Sequence, residues 1–543
     1  MDRSYNIQWA LIEYDKCNAE NVDCTEKVQA VLDVKNEIYF PAGVYHFANL
    51  LRVRSNTKIV GHNAVIKGPG FKIIDQENVR ISGFVFEGTA TTGSDPQAGI
   101  WLERSQNVDI ESNTFIQTRI YCQNATNTDE YKNIFIRNNQ FKGNYSGFKR
   151  CNVLQVDGFN QIRITDNTFE CDGVTRFMKL STGGSVKQND GKPNFVENYN
   201  KNLFVSRNMI TGSRRLSDNK QVIDFYAGNG EAIISDNIVM LPHETTGSTI
   251  FEGKNSGQEP QLTVTNKQKN IIISNNILIG ASASYSIMYY GAYGTDFISE
   301  EKQCITISNN LIKNTHEGQN ILEAIRIRGM HQVNINNNQI NFTGDGNSIR
   351  AISVDGNKST IVSGNVIEKG SIVSINNSQN TTSMTFTKPA EDLVIKGNVL
   401  NDWRYLGGVA LVNGTFQNVV IEGNVLKSSR TETPASWAVR FYNAEVRQAI
   451  VVNNTSDAQD RSSRNGIRID NGAVVDRLTD NLNSWNRKRV EGTTAPTAGK
   501  WSRGDIVYNT QPSEGNYAGW ICVASNGTDV GTWRGFGLIE HNE

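Results

Sequence analysis

Three carboxylates in the middle of the chain, Asp157, Asp224 and Glu252, are the candidate catalytic residues of this sequence. Hydrolysis of a glycosidic bond uses two carboxyl groups, about 5–5.5 Å apart in retaining enzymes and about 6.5–9.5 Å apart in inverting enzymes. On successive turns of a solenoid, whose strands are about 4.8 Å apart, Asp224 and Glu252 would be neighbours, and Asp157 would lie roughly 9.6 Å from Asp224. The first pair is our preferred catalytic pair, and the second pair is the alternative. Alternation along these strands predicts two outward columns, with Trp101, Tyr121 and Asp224 in the first and Asp157 and Glu252 in the second.

Aromatic and charged residues near these carboxylates predict a sugar ligand. The rings could stack on sugar rings, and the cations could hold a carboxylate or an acetamido group. The other interpretation is that the charges form a solvated ion-pair face along an ordinary solenoid. The predicted substrate-binding residues are Tyr226, Tyr290, Arg326, Arg328, Lys179 and Asp355.

A repeated phrase is what places these residues on successive turns. It reads apolar–x–apolar–x–x–Asn–x–apolar, as in residues 108–115, 134–141 and 162–169. Most copies are 26 to 30 residues apart, which is typical of a solenoid, and the alternation of apolar residues indicates strands. The asparagine recurs at Asn113, Asn139, Asn167, Asn208, Asn237, Asn276, Asn310, Asn338, Asn365, Asn398, Asn424, Asn454 and Asn481.

We therefore predict an all-β fold, a right-handed parallel β-helix of about thirteen coils with at least two strands each. The repeated asparagine should sit at the bend of each coil, where it tolerates a left-handed backbone, and should hydrogen-bond to its copies. The predicted boundaries are 1–55 for an N-terminal segment with a helical cap, 56–488 for the β-helix, and 489–543 for a small C-terminal β module.

The longest intervals between phrases surround the candidate carboxylates. The extra residues fall near 183–200, 241–268 and 291–303. Function on a regular scaffold is usually carried by such loops. We expect them to wall a groove beside Asp224 and Glu252.

Composition excludes several classes of function. The net charge of −1 across 543 residues provides no basic field for nucleic acid or a membrane surface, and no apolar run approaches the length of a membrane span. The first residues lack the apolar core of a signal peptide. Seven cysteines and six histidines are scattered without disulfide or metal-ligand spacing, so we predict no metal and no other cofactor.

The start of the repeat resembles that of a known family. A segment of helical spacing at 25–32 is followed by Tyr39-Phe40-Pro41 and then Gly43–Tyr45, as in pectate-lyase-like β-helix proteins and especially bacteriophage tailspikes. The tryptophan-rich end of the chain is similar to the C-terminal module of several tailspikes. The resemblance implies a homotrimer that binds a bacterial surface polysaccharide. It also implies a protein of the phage tail, made in the host cytosol and attached to the tail or baseplate through a short or missing N-terminal segment.

Several functions remain open from the sequence. The preferred one is a polysaccharide depolymerase that hydrolyses a capsule or an O-antigen. The second is a lyase that cleaves a uronate polymer by β-elimination, with Tyr226 or Lys179 as the base and with Arg326 and Arg328 neutralising the uronate. The third is a non-catalytic adhesin, and a deacetylase is a fourth.

Overall fold

The protein is described by a computed structural model as two compact units. One unit comprises Met1–Gly318, Ala324–Val333 and Thr343–Asp345; the other comprises Gln319–Glu323, Asn334–Phe342 and Gly346–Glu543. The residues that the structure describes are 10–11, 22–124, 131–180, 187–189, 192–194, 200–214, 222–225, 231–241, 249–254, 270–280, 285–290, 303–314, 322–343, 349–375, 388–403, 407–427, 437–456, 466–480, 489–499, 501, 503–524 and 530–540.

In the first unit, successive coils stack as parallel strands, so the predicted parallel β-helix is confirmed. The coils build three parallel sheets, where the repeat predicted at least two strands for each coil; in two of the coils one long strand runs through two of the sheets. Sheet A contains Glu37–Phe40, Lys58–Lys67, Glu77–Glu87, Gln106–Glu111, Lys132–Arg137, Asn160–Thr165, Lys201–Ser206, Glu231–Ser235, Asn270–Ser274 and Cys304–Ser308.

The other two sheets follow in each coil. Sheet C contains Gly43–His46, the second halves of Lys58–Lys67 and Glu77–Glu87, Thr114–Ile116, Gln140–Asn144, Thr168–Val174, Met209–Arg214, Ile238–Leu241, Ile277–Gly280 and Leu311–Asn314. Sheet B contains Leu51–Arg52, Phe71–Ile74, Ala98–Glu103, Arg119–Gln123, Asn152–Asp157, Arg176–Leu180, Ile223–Phe225, Thr249–Lys254, Tyr285–Tyr290 and Leu322–Arg328. Ala10–Leu11 extends sheet A by pairing in parallel with Glu37–Phe40. Outside the three sheets, Lys187–Asn189 forms an antiparallel pair with Lys192–Asn194.

The second unit has two sets of strands. Strands Leu322–Arg328 and Gln332–Asn336 each have residues in both units. The parallel strands of the second unit are Gln339–Phe342, Ile349–Asp355, Ser359–Ser363, Val366–Glu368, Ser371–Ile375, Ala390–Lys396, Val399–Asn401, Val409–Glu422, Val425–Lys427, Val439–Val452, Thr455–Ser456, Ile467–Asp470 and Val474–Asp480. A separate four-stranded sheet, the predicted C-terminal module, consists of Arg489–Gly492, Ile506–Asn509, Tyr517–Ala524 and Thr532–Leu538.

The predicted cap begins with the α-helix Thr25–Leu32, which is the one α-helix among the described residues. Its N-terminus is held by Asp23, whose carboxylate accepts hydrogen bonds from the Thr25 hydroxyl and, at 2.9 Å, from the Thr25 amide; the hydroxyl bond first, and then the amide bond, lower the pKa of Asp23. Val28 and Leu32 are the buried residues of the helix. In the described part of the chain, no helix is long and apolar enough to cross a membrane.

Buried asparagines connect the coils, as the repeat predicted. In the first unit they run from Asn113 to Asn310, and in the second from Asn338 to Asn454; each Nδ2 donates to the Oδ1 of the next asparagine at 2.8–3.2 Å. Asn481 lies outside the described residues. The left-handed bend is one position earlier than expected, for example at Ser112 with φ +55°. Making the bend there leaves the asparagine itself free to turn inward.

Aromatic rings stack inside the coils beside this asparagine ladder. Phe86, Phe115, Phe141 and Phe169 lie in one row of sheet C, with ring centroids 4.6–4.9 Å apart and nearly parallel planes. All four are buried. The row shows that residues at the same place in successive repeats become neighbours in the core.

We expect Asn139→Ala to destabilise the protein more than Gln140→Ala. The substitution removes the acceptor of the buried Asn113 backbone amide and one of the two donors to the Asn167 side-chain oxygen, and a buried group left unsatisfied costs about 1–3 kcal/mol. Gln140 is the exposed neighbour of Asn139. Urea unfolding followed by circular dichroism measures both variants, and equal losses would contradict the role of the ladder.

Candidate functional site

Strand register in sheet B brings most of the candidate residues of the first unit into one region. Parallel partners face each other across adjacent strands about 4.8 Å apart. The column formed by these partners, which we call the sheet B column, is Trp101, Tyr121, Gln155, Lys179, Asp224, Glu252 and Met288. Two residues further along the strands, the next column contains Glu103, Gln123 and Asp157.

This register corrects the predicted arrangement of the carboxylates. Glu252 was expected in the second column but lies directly opposite Asp224, and the second column holds Lys254 opposite Tyr290 instead. Asp157 is two coils from Asp224 and also two residues further along its strand. Their backbones are therefore roughly 12 Å apart, and the predicted distance of roughly 9.6 Å was too short. The adjacent pair therefore has the shorter and more favourable spacing.

Two ion pairs link the acidic and basic residues of the site. The Asp157 Oδ2 lies 3.3 Å from Lys179 Nζ and also accepts a hydrogen bond from the Gln155 amide. The Asp224 Oδ2 lies 3.0 Å from Arg176 Nε. Asp157 and Asp224 are only 2% and 3% exposed, and the two cations offset part of the cost of burying these carboxylates.

Arg176 was missed by the sequence analysis. It lies three residues before Lys179, and strict alternation therefore assigns it to the opposite face of the strand. It begins the strand Arg176–Leu180, where Phe177 and Met178 both donate to the carbonyl of Val222. This irregular pairing breaks the alternation, and no sequence signal indicated it.

The outward face of sheet B is more buried than alternation predicts. Gln155, Arg326 and Arg328 are 7–8% exposed, although they alternate with core residues along their strands. Burial, and secondly the nearby Asp157 carboxylate, raise the pKa of Tyr121. The site is therefore a partly desolvated environment, in which charge–charge interactions are stronger than in water.

Trp101 and Tyr121 form an aromatic pair at one end of the sheet B column. Their ring centroids are 4.9 Å apart with planes at 63°, and both side chains are half-buried. The Lys72 ammonium lies 5.6 Å from the Trp101 ring, and the Arg119 guanidinium lies 4.9 Å from the Tyr121 ring. Within the described structure, the buried Trp101 Nε1 has no hydrogen-bond acceptor. The sequence placed both aromatics on the outward column but did not include them in the site.

The remaining predicted residues are distributed differently. Tyr226 lies outside the described residues, and for Tyr290 only its strand position is described. Arg326 and Arg328 belong to the strand that follows Tyr285–Tyr290 in sheet B. Asp355 belongs to the second unit, where it is buried and accepts a hydrogen bond from Ser353 Oγ at 3.1 Å. The structure thus brings Asp157, Lys179 and Asp224 together, with Glu252 opposite Asp224 on the next strand.

Two further expectations concern metal sites and loops. No group of three or more histidine, cysteine, aspartate or glutamate residues in the described ranges is placed to hold a metal ion. The predicted loops near 183–200, 241–268 and 291–303 lie largely outside the described residues, so they remain predictions.

Comparisons with known proteins found similarity only among solved structures. No protein-family model and no curated protein matches the chain. The tailspike of E. coli bacteriophage HK620, in complex with a pentasaccharide, is 13% identical with a TM-score of 0.43 and covers 96% of this chain and 88% of its own. Tailspike protein 3 of bacteriophage CBA120 is 10% identical with a TM-score of 0.34, covering 97% and 68%. The alginate lyase AlyF-OU02, in complex with G6, is 12% identical with a TM-score of 0.32, covering 99% and 94%.

We expect Asp157 and Lys179 to be energetically coupled. Lys179→Met removes the ammonium beside a buried carboxylate, so it should destabilise the protein more in the wild-type background than in an Asp157→Asn background. The coupling free energy from the double-mutant cycle should lie at about 0.5–3 kcal/mol, measured by urea unfolding. A coupling indistinguishable from zero would mean that the ion pair does not stabilise the fold.

Proposed function

We propose that this protein binds a bacterial surface polysaccharide, a capsule or an O-antigen, and depolymerises it by glycosidic hydrolysis. The observation that carries the proposal is the position of Glu252 directly opposite Asp224 on adjacent strands. A separation of about 4.8 Å between their backbones is close to the carboxyl spacing of retaining glycosidases, about 5–5.5 Å. We further propose, on the sequence resemblance, a homotrimer attached to a phage tail or baseplate.

The two carboxylates have different proposed roles. The Arg176 guanidinium beside Asp224 stabilises the carboxylate form of this residue. A nucleophile must begin the reaction in that form, so Asp224 is the residue proposed to attack the anomeric carbon. Glu252 is the acid that protonates the leaving glycosidic oxygen. It then accepts a proton from the water that hydrolyses the glycosyl-enzyme bond, which restores both carboxyl groups.

Residues on either side of this pair are proposed to hold the polymer. Tyr121 lies three coils before Asp224 in the sheet B column, and Trp101 lies one coil further away. At about 4.8 Å for each coil, both rings are roughly 14 Å or more from Asp224. They would therefore bind sugars remote from the cleaved bond. Arg326 and Arg328, on a later strand of sheet B, would bind sugars on the other side. Aromatic faces and buried cations together suit a long, polar and partly acidic glycan.

A lyase is the second candidate, favoured by the two buried arginines Arg326 and Arg328. They could neutralise the carboxylate of a uronate and so acidify its C5 proton. The proposed base Lys179 is less suited to this role, because its ammonium pairs with Asp157. A non-catalytic adhesin or a deacetylase would instead bind the polymer without shortening it.

We expect Asp224→Asn and Glu252→Gln each to reduce cleavage by about 10²–10⁴-fold. The measurement is digestion of a panel of purified capsular polysaccharides and O-antigens, with products sized by mass spectrometry. Glu170→Gln is the matched control, because Glu170 is an exposed carboxylate on sheet C.

The products separate the candidate functions. Short saturated oligomers from the wild type and the Glu170→Gln protein, but not from the other two, support hydrolysis by the proposed pair. Unsaturated, ultraviolet-absorbing products would indicate a lyase. Equal cleavage by all variants would exclude Asp224 and Glu252 as the catalytic pair, and retention of an uncleaved polymer would indicate an adhesin.

We expect Trp101→Ala to raise KM for the polymer by about three- to tenfold while kcat stays close to the wild-type value. A ring that stacks on a remote sugar contributes about 0.5–1.5 kcal/mol, and it binds the ground state and the transition state equally. Trp101→Phe, which keeps an aromatic ring, should recover most of the loss. A fall in kcat without a change in KM would place Trp101 at the reacting bond instead.

A further inference from the structure

A groove lies on the outward face of sheet A, on a different side of the coils from the sheet B column. Its floor is formed by Phe135, Arg163, Phe204 and Ile233, which are direct partners on four successive strands. The cavity has a volume of about 500 Å³, within the range of small-molecule binding sites. We call it the sheet A groove.

The floor of the groove is unusual for this column of residues. In the preceding coils the same column contains the charged residues Arg80 and Asp109, as expected for an outward face in water. Here it changes to two half-buried phenylalanines, with the Arg163 guanidinium 5.9 Å from the Phe135 ring. Clustered outward-facing aromatic surface inside a polar edge is typical of a binding site.

Polar side chains form the edge of the groove, and several are held in place by the coils themselves. The edge consists of Asn133, Gln161, Asn202 and Glu231. Asn133 donates to the Asn107 side chain at 2.7 Å, and Asn202 donates to the Asn160 side chain at 2.9 Å. A ligand would therefore meet a polar edge that is already ordered, which lowers the entropic cost of binding.

We propose that the sheet A groove is a second, non-catalytic binding site for a segment of the polysaccharide. The apolar faces of sugar rings fit the two phenylalanine rings, and sugar hydroxyl or carboxylate groups fit Arg163 and the amide edge. A second copy of the chain fits less well, because nine residues line the groove whereas a stable protein interface uses about 20–30 residues on each side. The inference rests on the proposed function in taking the same polymer as its ligand.

The position of the groove suggests how it would act. It lies on sheet A, so a polymer held there leaves the sheet B column open. A chain bound at both places dissociates more slowly than one bound at a single site, because rebinding at the second site becomes intramolecular. The groove should therefore matter more for long polymers than for short oligosaccharides.

The test compares Phe135→Ala and Phe204→Ala with Ile272→Ala. Ile272 is exposed on the next strand of the same column but does not line the groove. The probes are the purified capsular polysaccharides and O-antigens of the digestion panel, cast into native gels, and retardation gives the apparent Kd. All proteins carry Asp224→Asn so that cleavage does not interfere.

We expect each phenylalanine variant to bind the retarding polymer about three- to tenfold more weakly, with a smaller loss on short oligosaccharides of the same polymer. Ile272→Ala and the ring-preserving Phe204→Tyr should bind with the parent affinity. Thermal unfolding of every variant checks that the loss does not come from misfolding.

The other outcomes separate this inference from the proposed function. If the parent Asp224→Asn protein is retarded by a polymer that the wild-type protein does not cleave, the proposed hydrolysis fails and the phenylalanine variants still decide the groove. Unchanged retardation of both variants overturns the groove as a glycan site. A concentration-dependent dimer that the variants abolish would assign the groove to a second copy of the chain, and a protein retarded by no polymer overturns both proposals.

Discussion

The constant separation of neighbouring strands is the constraint on which the rest of this protein depends. Parallel hydrogen bonding holds successive coils about 4.8 Å apart, and the asparagine ladder repeats that bond inside the bend of each coil. A buried amide that lost its partner in the next coil would be left unsatisfied at a cost. A slip of one coil against the next by a single residue would also turn core residues outward. The ladder therefore fixes register as well as spacing.

The candidate site follows from this constraint. Asp224 and Glu252 are 28 residues apart in sequence yet become opposite partners, because each coil returns the chain to the same place. The partly buried environment then requires compensating charges, and Arg176 and Lys179 supply them within the same sheet. The same logic governs the other side of the coil, where two phenylalanines flank an arginine along sheet A. Each surface column is in effect an independent series of positions on a common scaffold.

The sequence predicted the architecture better than the details of the site. The asparagine repeat predicted parallel coils and a bonded ladder, and the helical spacing of residues 25–32 predicted the cap, since these follow from periodicity and local chemistry. The position of Glu252 was wrong by two residues, because sheet B is joined to the repeated phrase by turns of variable length that carry no signal of register. Arg176 was missed because its strand begins irregularly, and alternation alone could not reveal that the outward face of sheet B is buried.

One interval of the ladder has a consequence for how such a protein can change over time. Between Asn167 and Asn208 the chain is 41 residues long, yet their side chains are bonded at 2.9 Å, as in the shorter coils. The scaffold thus tolerates an insertion of more than ten residues without altering the coils above and below it. Segments between coils can be exchanged between lineages while the stack is inherited unchanged, so new recognition surfaces can arise by recombination at these junctions rather than by gradual redesign of the core.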